Sequence, residues 1–143
     1  MSLWMLDTDH LSLYLRGNLT VIANVDRNLS QVVMSIISFQ EVMNGWTGAL
    51  NQSDNTRDGL IHKYHQLWLV SELFKVLPIL EFDAVAYDQW MNLLKQNSPL
   101  QKKHLKQDVR IASIALSNGA TIVTRNRRDF ELVPELTIED WSI

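Results

Sequence analysis

Two rhythms of apolar spacing alternate along the chain. Residues 3–6, Leu-Trp-Met-Leu, are an unbroken apolar run that reads as a buried strand ending at Asp7. From Thr8, Asp9 and His10 onward, Leu11, Leu13, Tyr14 and Leu15 fit a helix opened by polar residues. After Gly17, residues 20–27 predict a second short helix, Val32 to Met34 a second strand before Ser35, and Ile36 to Leu50 a return to helical spacing. The polar segment 51–59, NQSDNTRDG, marks a turn, and Leu60, Ile61, Tyr64, Leu67, Trp68 and Phe74 predict helix over 60–74. Residues 76–80, VLPIL, form the third strand candidate, with Pro78 pointing to an edge or an irregular start. Helix is expected again from Asp83 to Lys95 and from Gln101 to Ser117, stopped by Asn118-Gly119. Ala120 to Thr124 predict a fourth strand, and Thr137 with Ile138 a short last one.

Strands alternating with helices across short polar breaks predict a three-layer α/β fold. At 143 residues and 46% apolar composition, one domain spanning 1–143 buries about two-thirds of its unfolded surface without disulfides or a structural metal. The absence of cysteine excludes thiolate catalysis and cysteine-ligated zinc or iron–sulfur sites, and fits a cytoplasmic setting. The amino-terminal segment has no basic leader, and no apolar run spans a bilayer, so neither a signal peptide nor a membrane span is expected.

Net charge is −3, which argues against broad attraction to polyanions. Its distribution changes that picture: residues 1–94 carry 5 basic and 10 acidic side chains, whereas residues 95–143 carry 8 and 6. Basic partners for a nucleic acid come mainly from the later part.

Four acids stand out. Asp7, Glu41, Asp108 and Asp129 are separated by 34, 67 and 21 residues, yet each lies near a predicted element end or beside an apolar helical face. Open α/β sheets gather ligands at the carboxyl ends of their strands, where Asp7 is directly placed and Asp129 follows a short step beyond the fourth strand. Carboxylates that converge repel one another, and Mg²⁺ or Mn²⁺, which prefer hard oxygen ligands, offset that repulsion and activate water beside a phosphodiester. Each acid alone also reads as a helix cap, a solvated residue or an ion-pair member.

In combination these segments resemble the PIN-domain ribonucleases, especially the VapC-like toxins of type II toxin–antitoxin pairs. The resemblance runs through LDTDHLS, SIISFQEVMNG and LKQDVRIASIALSNGATIVTRNRRDFELVPELTIEDW, nearly the whole chain. It implies a PIN-like domain with a central parallel sheet flanked by helices and a Mg²⁺- or Mn²⁺-dependent endoribonuclease. The implied metal ligands are Asp7, Glu41 and Asp108, with the fourth position at Asn126 or Asp129. Implied partners are RNA, a small VapB-like antitoxin whose carboxyl-terminal peptide occupies a groove near the acids, and a second copy in a homodimer. Asp9 is a second candidate near the cleft: it stands where family members often have asparagine, and reads as a capping or outer-shell residue or, as the alternative, a direct metal contact. Thr8 and Ser35 either orient water and carboxylates or simply cap helices.

Lys102, Lys103, Lys106, Arg110, Arg125, Arg127 and Arg128 either face RNA phosphates or form a solvated charged face. Trp46, Trp68 and Trp90 suit packing or base stacking, and Gly17, Gly45 and Gly119 suit turns or packing. His10, His62, His65 and His104 form no zinc signature, and no Walker motif follows strand one. Two other functions share this chemistry or fold: a DNA or structure-selective nuclease, and a noncatalytic RNA- or protein-binding PIN domain.

Overall fold

The structure, a computed structural model, describes residues 2–52 and 55–143. Ser53 and Asp54, within the expected turn at 51–59, lie outside the described residues. Five parallel strands, β1 (Leu3–Leu6), β2 (Val32–Ser35), β3 (Ile79–Leu80), β4 (Ala120–Val123) and β5 (Ile138–Glu139), are arranged in the order β3-β2-β1-β4-β5. Seven helices are described: α1 (Thr8–Leu15), α2 (Leu19–Arg27), α3 (Ile36–Leu50), α4 (Arg57–Phe74), α5 (Ala84–Gln96), α6 (Lys106–Ser117) and α7 (Arg127–Phe130).

The period of two along each strand sorts the core into two layers. Met5, paired with Val33 on one side and Ile122 on the other, points into a cluster with Ala86 and Leu93 of α5 and Val109, Ile111, Ala112 and Ala115 of α6. Leu6, paired with Met34 and Val123, points the opposite way, against Leu11 and Leu13 of α1, Val21 and Val25 of α2 and Val70 and Leu73 of α4. A strand buried on both faces has no polar side, which is why the sequence there is continuously apolar. Truncating Met5 or Leu6 to alanine at such a site costs about 2–5 kcal/mol.

Helix starts follow short polar side chains. Asn18, Ser35, Thr56 and Asp83 each accept a hydrogen bond from the backbone N–H three residues on, capping α2, α3, α4 and α5. Gly119 ends α6 with φ of 64°, a conformation that side chains resist.

The structure differs from the sequence expectation at several boundaries. The helix expected from Gln101 begins only at Lys106; Ser98–Gln101 and Lys103–Leu105 form 3₁₀ turns instead. At the expected start, Gln101 turns its side-chain amide back to the Leu94 carbonyl at 2.7 Å, which ties the first of these turns to the end of α5. In VLPIL only Ile79–Leu80 pair as a strand, beyond the proline. α4 opens at Arg57, where Thr56 supplies the cap, and the four-residue α7 had no counterpart in the expected elements. No helix among the described residues is long and apolar enough to cross a membrane.

The carboxyl-terminal segment is fastened by indoles. Glu139 accepts the Trp4 N–H on one carboxylate oxygen at 2.9 Å and the Trp141 N–H on the other at 3.1 Å. The Trp4 bond ties β5 to β1 across the intervening β4.

Candidate active site

β1 connects to β2 on one side, while β4 pairs on its other side, so the sheet changes winding direction between β1 and β4. Such a point leaves a crevice at the carboxyl ends of the strands. Asp7 occupies it. Its backbone N–H continues the ladder to the Val123 carbonyl at 3.1 Å, and its side chain caps α1 by accepting the His10 N–H on Oδ1 at 2.8 Å. Thr124 donates its hydroxyl to Asp7 Oδ2 at 2.6 Å and accepts the Asn126 N–H at 2.8 Å. Asp7 is therefore fixed from two strands and a helix, with 5% of its surface exposed.

Glu41 arrives from α3. Thr8 Oγ1 lies 2.8 Å from Glu41 Oε1 and 3.0 Å from Ser38 Oγ. With one proton to give, the threonine donates to the carboxylate and accepts from Ser38. Ser35, which caps α3 through the Ser38 N–H, stands 3.3 Å behind Ser38 Oγ and extends the hydroxyl chain. Thr8 thus acts directly on a neighbouring carboxylate, whereas Ser35 caps a helix and reaches Glu41 only through Ser38 and Thr8.

Asp108 lies in the first turn of α6, where the helix dipole favours a negative charge. Burial outweighs this help, and the charges of Asp129, Glu41 and Asp7 add to it, so the carboxyl pKa is pushed up to about 6. The Asn126 amide reaches both Asp108 Oδ2 at 3.3 Å and Asp129 Oδ2 at 3.1 Å. All five residues singled out from the sequence, Asp7, Glu41, Asp108, Asn126 and Asp129, therefore gather around one crevice.

A second grouping shares Asp7. Ligand atoms of Asp7, Asp9 and His10 lie within 4.8 Å of one another, a spacing that Glu41, Asp108 and Asp129 do not join. Two members of this trio are already committed. Asp9 takes a bidentate contact from Arg125, at 2.6 and 2.8 Å. His10, fully buried, accepts the Trp141 N–H on Nε2 at 3.2 Å and has Nδ1 3.4 Å from Asp7 Oδ1. The imidazole is anchored through Trp141, and its Nδ1 faces Asp7 without forming a hydrogen bond, whereas the acids around Asp108 repel one another, a repulsion that a cation would relieve.

Sequence reasoning missed Thr124 and Ser38 as supports. Thr124 carried a signal in retrospect, as a hydroxyl closing an apolar strand; Ser38 resembled any other helical serine. The flanking cations divide. Arg125 is half exposed beside the acids, while Arg127 contacts the Ile138 carbonyl at 3.3 Å and Glu131 at 3.7 Å, away from them. His62, His65 and His104 are exposed, and of the three tryptophans Trp68 is 55% exposed while Trp46 and Trp90 are half-buried.

An apolar groove of about 270 Å³ between α1, α3 and α4 opens beside Thr8 and Glu41, lined by Leu15, Arg16, Val42, Gly45 and Trp46. Gly45 serves no turn; it lies inside α3 along this groove, with open space where a Cβ would stand.

A parallel sheet ending in this acidic crevice is the arrangement of a metal-dependent nuclease-like site. The family model of the PIN domain matches residues 3–136, and the chain belongs to that family. It is similar to Ribonuclease VapC1 from Haemophilus influenzae strain R2866, with 28% identity over 144 residues that cover 98% of each chain. Among solved structures it resembles DNA-bound VapBC from Salmonella typhimurium, at 26% identity and a TM-score of 0.77 over 99% of both chains. VapBC-1 from nontypeable Haemophilus influenzae shares the fold, with a TM-score of 0.77 at 22% identity over 99% of both chains.

Proposed function

We propose that this protein is a Mg²⁺- or Mn²⁺-dependent endoribonuclease, the cytoplasmic toxin of a toxin–antitoxin pair, with residues 1–143 acting as one nuclease domain. The observation that carries this reading is the convergence of Asp7, Glu41, Asp108 and Asp129 at the sheet's switch point in a PIN fold, with Asp108 held well above the usual carboxylate range. Hard oxygen donors that repel one another fit a divalent ion. Asp7, Glu41 and Asp108 would hold it, with Asn126 or Asp129 completing the set. When bound, the ion supplies charge neutralisation and an activated water for phosphodiester hydrolysis.

The remaining work falls to side chains around these acids. Thr124 and the α1 backbone fix both oxygens of Asp7, and the hydroxyls of Thr8, Ser38 and Ser35 fix Glu41. Arg125, tethered by Asp9 at the rim, supplies a guanidinium for a phosphate oxygen. No side chain is required as a nucleophile.

The apolar groove beside Thr8 and Glu41 suits the carboxyl-terminal peptide of a small VapB-like antitoxin, which would reach the acids from it. The relatives named VapBC support such a partner. A homodimer is the assembly we assign.

The test is cleavage of a panel of structured RNAs, with DNA of matched sequence alongside, in Mg²⁺, Mn²⁺ or chelator. Metal-dependent RNA products that disappear in Asp108→Asn are expected. DNA products alone would replace this reading with a DNA nuclease, and no products from folded, metal-binding protein would favour a binding domain.

A further inference from the structure

A second cleft, of about 340 Å³, lies between the end of α5 and the turns that lead into α6. Its wall is apolar, built from Trp90, Leu94 and Leu100, and its rim carries Lys102, Lys103 and Lys106. All three lysines are exposed, none forms an ion pair among the described residues, and no acidic side chain lines the cleft. In a chain of net charge −3, this is a local concentration of unneutralised positive charge.

The aromatic wall is held in place from several sides. Phe82 and Tyr87 meet Trp90 edge-on, with centroids at 5.9 and 5.7 Å, and the Arg110 guanidinium lies over its ring at 4.9 Å. Lys106 and Arg110 are four residues apart on α6 and share one helical face, so the rim charge continues behind the tryptophan. Asp108 projects from the opposite side of the same first turn. The two places are thus separated by about one helix diameter, roughly 10–12 Å, which a few nucleotides of extended strand can cover.

We propose that this cleft is a second RNA subsite, which holds the single-stranded substrate a few nucleotides away from the bond that is cut. The lysines meet backbone phosphates, and the apolar wall receives a base. Lysine charge beside a fixed aromatic wall is the combination that single-stranded nucleic acid exploits without sequence preference. Proximity to the catalytic acids favours RNA over an acidic peptide as the occupant. The inference rests on RNA being the substrate, and binding can be read apart from turnover.

The experiment uses the full chain in chelator, where cleavage is suppressed, and measures anisotropy of a long labelled single-stranded RNA across a salt series. Its variants are the triple change Lys102→Ala, Lys103→Ala, Lys106→Ala and the charge-keeping triple change to arginine. The alanine variant should bind at least about tenfold more weakly, and its log-affinity against log-salt slope should fall by about 2, the value for three lost phosphate contacts. The arginine variant should keep both. Unchanged affinity and slope in the alanine variant would overturn the subsite. So would intact RNA binding with loss of the antitoxin complex, because the cleft would then be a protein face. If the parent binds RNA with the lysine-dependent slope but never cuts it in Mg²⁺ or Mn²⁺, the cleft stands as an RNA-binding site, while the nuclease reading, and with it the cleft's place beside a cut bond, fails.

Discussion

Asp7 and Asp108 face the same crevice and are held in opposite ways. Asp7 ends β1, is almost fully covered, and receives a donor on each carboxylate oxygen, the His10 N–H and the Thr124 hydroxyl. Asp108 is half-buried on α6 and receives one long contact from Asn126, and burial, with three other acids adding to it, pushes its pKa up to about 6. The first carboxylate is part of the scaffold as well as of the site. The second is a liability to the metal-free fold, and its presence there makes sense through the cation it would hold.

Exchanging the two acids' fates gives the largest effects. Asp108→Asn should lower metal-dependent RNA cleavage by more than about 100-fold, beyond the 10–100-fold range of a residue that only supports a ligand. The same change should raise, or leave level, the metal-free melting temperature, because it removes a repelled buried charge without opening a cavity. A marked loss of stability would contradict the contrast. Asp7→Ala should instead destabilise the protein by about 2–4 kcal/mol, from a lost helix cap and a stranded Thr124 hydroxyl. Chemical denaturation of both variants in chelator checks the pair, and equal losses would erase the distinction.

This contrast was half visible in the amino-acid sequence. Asp7 follows an apolar run and opens a helix, so its place at a strand end could be read from local pattern alone. Asp108 sits among Val109, Ile111 and Ala112, so periodicity marks it as an acid beside a buried face. What surrounds it could not be read locally: Glu41 and Asp129 approach through β-sheet order, which one sequence does not state. The resemblance to PIN domains supplied that long-range arrangement. Thr124 and Ser38 stayed hidden because the partners through which their hydroxyls reach the acids lie 117 and 30 residues away. The late start of α6 escaped for another reason, since the Gln101 side chain bonds back to α5 and the chain runs through two 3₁₀ turns where spacing alone suggested helix.

Thr124→Val sharpens the comparison at intermediate size. It removes the donor to Asp7 Oδ2 and the acceptor for the Asn126 N–H while keeping the side chain's shape. Cleavage should fall by about 10–100-fold and stability by about 1–3 kcal/mol. Steady-state cleavage paired with denaturation reads both; an effect on stability alone would make Thr124 a purely structural brace.

The smallest effect is a pH dependence carried by Asp108. Its folded pKa is raised above the unfolded value, so the folded state binds this proton more tightly than the unfolded chain does. The resulting penalty is complete above about pH 6 and is relieved as the pH falls through that value toward the unfolded pKa of about 4. In metal-free protein, the melting-temperature difference between Asp108→Asn and the parent should therefore shrink between about pH 7 and about pH 5. Mg²⁺ at neutral pH should shrink it as well, by supporting the ionised parent, and should do so less at the lower pH, where proton and cation compete for the same carboxylate. Thermal denaturation of the two proteins at both pH values, with and without Mg²⁺, measures all four corners. A gap that ignores both pH and Mg²⁺ would mean that Asp108 is no more burdened than Asp7, and the division between a scaffold acid and a cation-dependent acid would collapse.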